Sequence, residues 1–131
     1  VHPGSAVAQR LTPGGRFVVE AFVPDLGRDG DHVEIRDLAV DRIVLSISRS
    51  NGSTQRAEGQ FVELTQAHGV RLRPWSIRWA TVAQLDEMAA LAGLTVERRW
   101  SSWAREPFGP DSDNHVTIYR TASREGADRV V

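Results

Sequence analysis

The chain has no cysteine, which excludes disulfides, thiolate metal sites and a catalytic thiol. It has no lysine either: all 16 basic residues are arginine, so neither a Schiff-base lysine nor a phosphate-loop lysine can exist. Codon bias in a GC-rich genome is the simpler reading of that bias, and selection for bidentate recognition of carboxylates or phosphates is the other. No charge sign dominates: the formal net charge is −1, which makes no electrostatic case for nucleic acid or an anionic membrane surface. No apolar run approaches the ~20 residues that cross a bilayer. The opening VHPGSAVAQR lacks a hydrophobic stretch of signal length, and the expected compartment is the cytoplasm. What remains is ordinary. With 131 residues, 40% apolar and 25% charged, the chain reads as one domain or a piece of a larger one.

The most informative stretch is IRWATVAQLDEMAALAGLTVERRW, Ile77 to Trp100. Thr81 is a good helix N-cap, and Gln84 three residues later completes a capping box. Val82, Leu85, Met88, Ala89 and Ala92 give one apolar helical face, with Gln84, Asp86 and Glu87 placed off it. Gly93 can turn left-handed and stop the helix. Leu94, Val96 and Trp100 then alternate with polar residues, so the period switches from 3.6 to 2.

Before this joint, SAVAQRLT at 5–12 reads as the last turns of a helix, broken by Pro13-Gly14-Gly15. Arg16 to Phe22 follows as a strand whose FVV run suits cover on both faces, as in a parallel α/β sheet. A helix end, a P-G-G turn and a buried strand make an αβ unit without its beginning, so the chain is expected to be truncated. A polar loop, VPDLGRDGD, leads to four extended stretches, His32–Val40, Asp41–Ser50, Thr54–Thr65 and Val70–Ala80. Asn51-Gly52 fits a type I′ hairpin turn, and Gln66–Gly69 gives a second turn. An antiparallel meander is therefore expected between the αβ unit and the capped helix. After it come a loop, SSWAREPFGPDSDN, a last strand over His115–Arg120 and a polar tail over 122–131.

In this order the chain resembles the C-terminal half of a class I S-adenosylmethionine-dependent methyltransferase. LTPGGRFVVEAFVP at 11–24 looks like the family's helix, P-G-G turn and fifth strand. AQLDEMAALAGLTVERRW at 83–100 is similar to its last helix and following strand. Glu97–Trp103 with Asn114–Arg120 looks like its reversed final strand pair. The resemblance implies an α/β fold (α+β for the isolated fragment): a partial methyltransferase-type sheet, an antiparallel β insertion over 32–80, one capped helix and a C-terminal β-hairpin. In small-molecule members the insertion caps the active site or makes dimers. The family holds its cofactor in the other half, on a glycine-rich loop after the first strand and an acidic residue ending the second. Here Gly14-Gly15 precedes a strand, and Gly27 and Gly30 lie in the loop after it. S-adenosylmethionine is thus implied by the resemblance alone, and this chain by itself is not expected to bind it in the family's way.

Several constellations carry chemistry. Glu20 sits in the buried-looking strand, either near a site mouth at the sheet's C-terminal edge or paired with an arginine such as Arg78. RLRPWSIRW at 71–79 interleaves arginine and tryptophan. Trp75, Arg78 and Trp79 could line a substrate pocket, the arginine gripping an anion and the indoles stacking a ring. Equally, Ile77 and Trp79 could face the core, with Arg78 left as the substrate-side residue. Asp111, Asp113 and His115 look like metal ligands, but a turn before the last strand explains them more simply, and no metal is expected. Trp100, Trp103 and Phe108 suit packing of the last hairpin.

Two functions follow. The chain is the acceptor side of a small-molecule methyltransferase, where the protein positions an acceptor and removes its proton, with Glu20, Arg78 and His115 as contacts. Alternatively it is a non-catalytic binding or oligomerisation module. In either case the exposed strand Arg16–Phe22 invites a second copy or the missing N-terminal half, and a homo-oligomer is expected.

Overall fold

The structure, a computed structural model, describes residues 3–121. The polar tail expected over 122–131 lies outside the described residues. The elements run α1 (Pro3–Ala8), β1 (Arg16–Phe22), β2 (Gly30–Leu38), β3 (Arg42–Asn51), β4 (Arg56–Thr65), β5 (Gly69–Arg78), α2 (Val82–Leu91), β6 (Leu94–Trp100) and β7 (Asn114–Thr121). They divide into two units, one built from residues up to Pro24 and from Thr81 on, the other from Asp25–Ala80. No helix among the described residues is long and apolar enough to cross a membrane.

In the first unit a three-stranded antiparallel sheet has the order β1–β7–β6. The first helix ends at Ala8, short of the expected Thr12. Two turn bonds, Arg10 N to Val7 O and Leu11 N to Ala8 O, lead the chain into the P-G-G turn. There Gly14 takes φ 77°, a conformation that glycine alone adopts cheaply. Strand β1 has the expected bounds but not the expected surroundings. Its residues alternate between exposed and half-buried, because only the Phe17, Val19 and Ala21 side is covered. Val18 and Phe22 are exposed, and so is Glu20, which corrects the expectation of a strand buried on both faces.

Helix α2 begins as its sequence dictates. Thr81 Oγ1 accepts from Gln84 N at 3.1 Å, and Gln84 Oε1 accepts from Thr81 N at 2.9 Å. Thr81→Ala removes the first bond and is expected to cost about 1 kcal/mol, readable as a fall in the urea midpoint. A wild-type midpoint in that variant would show that the cap contributes nothing. Gly93, at φ 79°, ends the helix. The core joins Ala89, Leu94 and Tyr119 to Ala8, Leu11, Phe17 and Val19, bringing α1, α2 and the sheet together on one face.

The last hairpin pairs Leu94–Trp100 with Asn114–Thr121, and its connecting loop is tied across its neck. Ser101 N donates to Glu106 O at 2.9 Å, and Trp100 bridges to Pro107. Arg105 lies over the Trp100 ring at 5.5 Å. Trp103, expected to pack, is 64% exposed instead, because the tied neck turns the loop tip outward.

The second unit is a meander, β2–β3–β4–β5, with every neighbour antiparallel. The first turn differs from the type I′ expectation. Asn51 pairs with Arg56, leaving a four-residue loop in which Asn51 Oδ1 accepts from Ser53 N and Thr54 N. The positive φ falls on Gln55, at 52°, and not on the Asn-Gly pair. An asparagine that bonds its own backbone two and three residues on favours this wider turn. Thr65 pairs with Gly69, whose φ of 70° closes the second turn.

Candidate functional site

Alternation along β7 puts His115, Thr117 and Tyr119 on one side of the strand, facing α2, and all three are buried. Three polar-tipped residues in a row on the core side need partners, and one helical carboxylate supplies them. Asp86 Oδ1 accepts from Tyr119 OH at 2.7 Å and from the Arg99 guanidinium at 2.5 Å. Arg99 stands opposite Thr117 on β6, and its Nε donates to Thr117 Oγ1 at 2.8 Å. Thr117 Oγ1 lies 2.9 Å from His115 Nδ1. Having accepted from arginine, the hydroxyl can donate its own hydrogen to that nitrogen. Phe108 closes the end, its ring edge-on to His115 at 6.3 Å and beneath Arg99 at 5.6 Å.

The network leaves one polar atom over. His115 Nε2 is buried and has no hydrogen-bond partner. Burial lowers the imidazole pKa below its ordinary 6.5, and the nearby Arg99 charge lowers it further. His115 is therefore a neutral imidazole at neutral pH, held at Nδ1 and free at Nε2. As pH falls below about 6.5, the unfolded chain binds the proton first, so stability declines until the folded ring protonates as well. The carboxylates with lowered pKa values, Asp31, Glu63 and Glu97, lose their contribution only below their ordinary 4.5 or less. Chemical denaturation between pH 7.5 and 5 should thus show a decline that His115→Gln removes. A slope unchanged by that substitution would assign the loss to other groups.

Glu20 does not join this cluster. It pairs with Val116, whereas His115 pairs with Ala21, so the two candidates point to opposite faces of the sheet. Asp111 and Asp113 are exposed while His115 is buried, and no three His, Asp or Glu side chains gather as metal ligands among the described residues. Sequence reasoning missed Asp86, Arg99, Thr117 and Tyr119. Asp86 had been set off the apolar face, yet it follows Val82 by four residues and precedes Ala89 by three, which places it on that stripe.

In the second unit Trp75 lies across Gly59. A Cβ on that glycine would stand 2.7 Å from the indole ring and 2.4 Å from Ile47 O, so only glycine leaves room for the ring there. Phe61 is 6.3 Å away, tilted by 37°. The indole Nε1 is buried without a partner. Arg78 is separate from this aromatic pair. It pairs with Arg56, lies an odd number of residues from Trp75 on the same strand and so points to the other face, exposed. Trp79 donates its backbone N–H to Gln55 O at 3.0 Å, and the residue is half-buried.

No family model matches the chain, and no curated protein matches it. Solved structures do. The CcbJ methyltransferase from Streptomyces caelestis superposes with a TM-score of 0.85 at 31% identity, over 92% of this chain and 49% of its own. An S-adenosylmethionine-dependent methyltransferase from Clostridium acetobutylicum gives 0.72 at 9% identity, over 92% and 50%, which is a likeness of fold alone. An amino pentose methyltransferase from Micromonospora echinaspora gives 0.55 at 24% identity, over 90% and 49%. This chain spans about half the length of the enzymes it matches. The β1–β7–β6 edge with its reversed middle strand, the antiparallel sheet between β1 and the capped helix, and these superpositions agree: the chain has the fold of the C-terminal half of an S-adenosylmethionine-dependent methyltransferase.

Proposed function

We propose that this chain supplies the acceptor side of a small-molecule methyltransferase and holds no S-adenosylmethionine by itself. The observation that carries the acceptor side is Trp75: an indole seated against Gly59 beside Phe61, its N–H buried and unpartnered. An indole face suits an acceptor ring stacked on its apolar side. Arg78 points to the other face of that strand and takes no part in this stacking.

The fit to the cofactor supports the other half of the reading. Its phosphate-free, carboxylate-bearing end needs free backbone amides in a glycine-rich turn. In the loop after β1, Gly27 N donates to Asp25 Oδ1 at 3.1 Å, so that amide already serves a carboxylate of the chain, and Asp29 of the same loop takes Gly52 N of the β3–β4 turn at 2.7 Å. The cofactor half would extend the sheet from the outer edge of β1. The exposed apolar residues Val33, Ile35, Leu38, Val70 and Leu72 of the four-stranded sheet favour a second reading, a non-catalytic oligomerisation module.

Two titrations separate them. Calorimetry with S-adenosylhomocysteine should give no heat at millimolar ligand, whereas micromolar binding to this chain would overturn the cofactor half of the proposal. Amine-bearing sugars, chosen because one of the matched enzymes is an amino pentose methyltransferase, should shift the Trp75 indole N–H resonance. That resonance is identified by its loss in Trp75→Phe. If no amino sugar moves it, the acceptor role is wrong and the module reading stands.

A further inference from the structure

The ends of β1 and β6 and the start of β7 gather at one edge of the three-stranded sheet. β1 and β6 both pair antiparallel with β7, so they run the same way and end together: Phe22 stands opposite Asn114, and Trp100 opposite Val116. Val23 N donates to Asp113 O at 2.8 Å, which fastens the exit of β1 to the last residue of the 101–113 loop. In open α/β sheets ligands bind outside the carboxyl ends of the strands. The 101–113 loop therefore stands at the ligand end of this sheet.

An exposed apolar side chain is common on any protein surface, and Trp103 would mean little on a slack loop. This loop is not slack. Besides the Ser101–Glu106 bond and the Trp100–Pro107 bridge across its neck, Ser102 holds three of its residues. The Ser102 hydroxyl donates to Glu106 Oε2 at 3.1 Å and accepts from Ala104 N at 3.2 Å, and the Ser102 carbonyl accepts from Arg105 N at 3.1 Å. Arg105 takes φ 63°, the left-handed region that glycine occupies cheaply and arginine does not. Its guanidinium lies over the Trp100 ring, an attraction that glycine could not supply. These ties fix a short tip whose largest group, Trp103, is 64% exposed. Backbone strain held in place by its surroundings is characteristic of ligand clamps.

The chemistry of the ring selects the ligand. Indole is the best of the aromatic faces for a cation, and its breadth suits a saturated ring stacked by its C–H side. An amino sugar offers both, an ammonium and an apolar ring face.

We propose that Trp103 is a specificity residue that stacks against an amino-sugar acceptor at this edge. The proposal rests on the acceptor reading above but on another residue, so the two can fail separately. The indole N–H resonance of Trp103, identified by its loss in Trp103→Phe, should shift as glucosamine is added to the full chain. Glucose, which lacks the ammonium, should need about tenfold more to give the same shift. Trp103→Ala should weaken glucosamine binding about tenfold by calorimetry, with an unchanged urea midpoint because the side chain is exposed. Arg105→Gly relieves the backbone and loosens the tip, so the fold should persist while the Trp103 shift shrinks. A Trp103 resonance that stays still while that of Trp75 moves overturns this inference and leaves the acceptor reading standing. If neither moves, both fall. Wild-type affinity in Trp103→Ala overturns the inference too, and so does an equal response to glucose.

Discussion

Replacing Asp86 by alanine is expected to lower stability by about 2–4 kcal/mol. One carboxylate oxygen holds both the Tyr119 hydroxyl and the Arg99 guanidinium, and removing it strands two donors at once. Tyr119 is 2% exposed, and water cannot reach it without opening the core. The Arg99 side chain is 17% exposed, so the charge left behind is only partly solvated, which keeps the estimate below that for a fully buried ion pair. Asp86→Asn keeps an acceptor oxygen and should cost less than half as much. Urea denaturation measures both. A second readout is optical, because the chain has a single tyrosine. Burial and the Asp86 hydrogen bond push its phenol pKa from 10 up to about 12. A group whose folded pKa is raised contributes stability below its unfolded value and loses it as pH climbs to the folded one, here between about 10 and 12. In Asp86→Ala the phenolate absorbance should appear at lower pH, though not as low as 10, since burial persists. An unmoved midpoint would mean that Asp86 and Tyr119 do not share that proton.

Gly59→Ala is the second change with a large expected effect. One methyl group would meet the Ile47 carbonyl at 2.4 Å and the Trp75 ring at 2.7 Å. The first neighbour is backbone held in the β3–β4 ladder, and the second is a rigid indole, so neither can yield by rotating a flexible tip. Overpacking of this kind costs about 1–3 kcal/mol, and a clash with backbone belongs at the upper end or beyond. The near-ultraviolet circular dichroism of tryptophan should change along with the stability, as the ring leaves its seat. Retention of the wild-type spectrum and melting temperature would show that the ladder flexes there. If Trp75 meets the acceptor, the same variant should also lose the indole response to amino sugars.

Much of the fold is legible in residue order. Thr81 and Gln84 announce the start of α2, Gly93 its end, and the change of period after Leu94 the strand that follows, because each is a short-range signal read within one turn. The meander is legible for the same reason, since alternation and turn residues sit side by side. The misreadings are non-local. Phe17-Val18-Val19 is apolar at every position, which is what a strand covered on both sides would show. Whether the Val18 and Glu20 side is covered depends on chain that is not adjacent in sequence. The Asn51-Gly52 turn is the local exception, because Asn51 Oδ1 bonds the Ser53 and Thr54 amides and widens it. Of the candidate sites, His115 stood out as a residue but not as a cluster. Its partners come from β6, β7 and α2, and only register brings Arg99 opposite Thr117.

The path of the chain through its two units has a kinetic consequence. Gly14 N reaches Thr121 Oγ1 across 107 positions, and Arg16 pairs with Arg120, so β1 has no partner until nearly all the described chain has been made. The four-stranded sheet closes through short turns between consecutive strands and can form as it emerges from the ribosome, because loop-closure entropy is small for near neighbours. The side of β1 that takes β7 must wait while some ninety further residues are added at about 5–20 per second. Those seconds, more than the finished fold, are when this molecule is most open to the wrong neighbour.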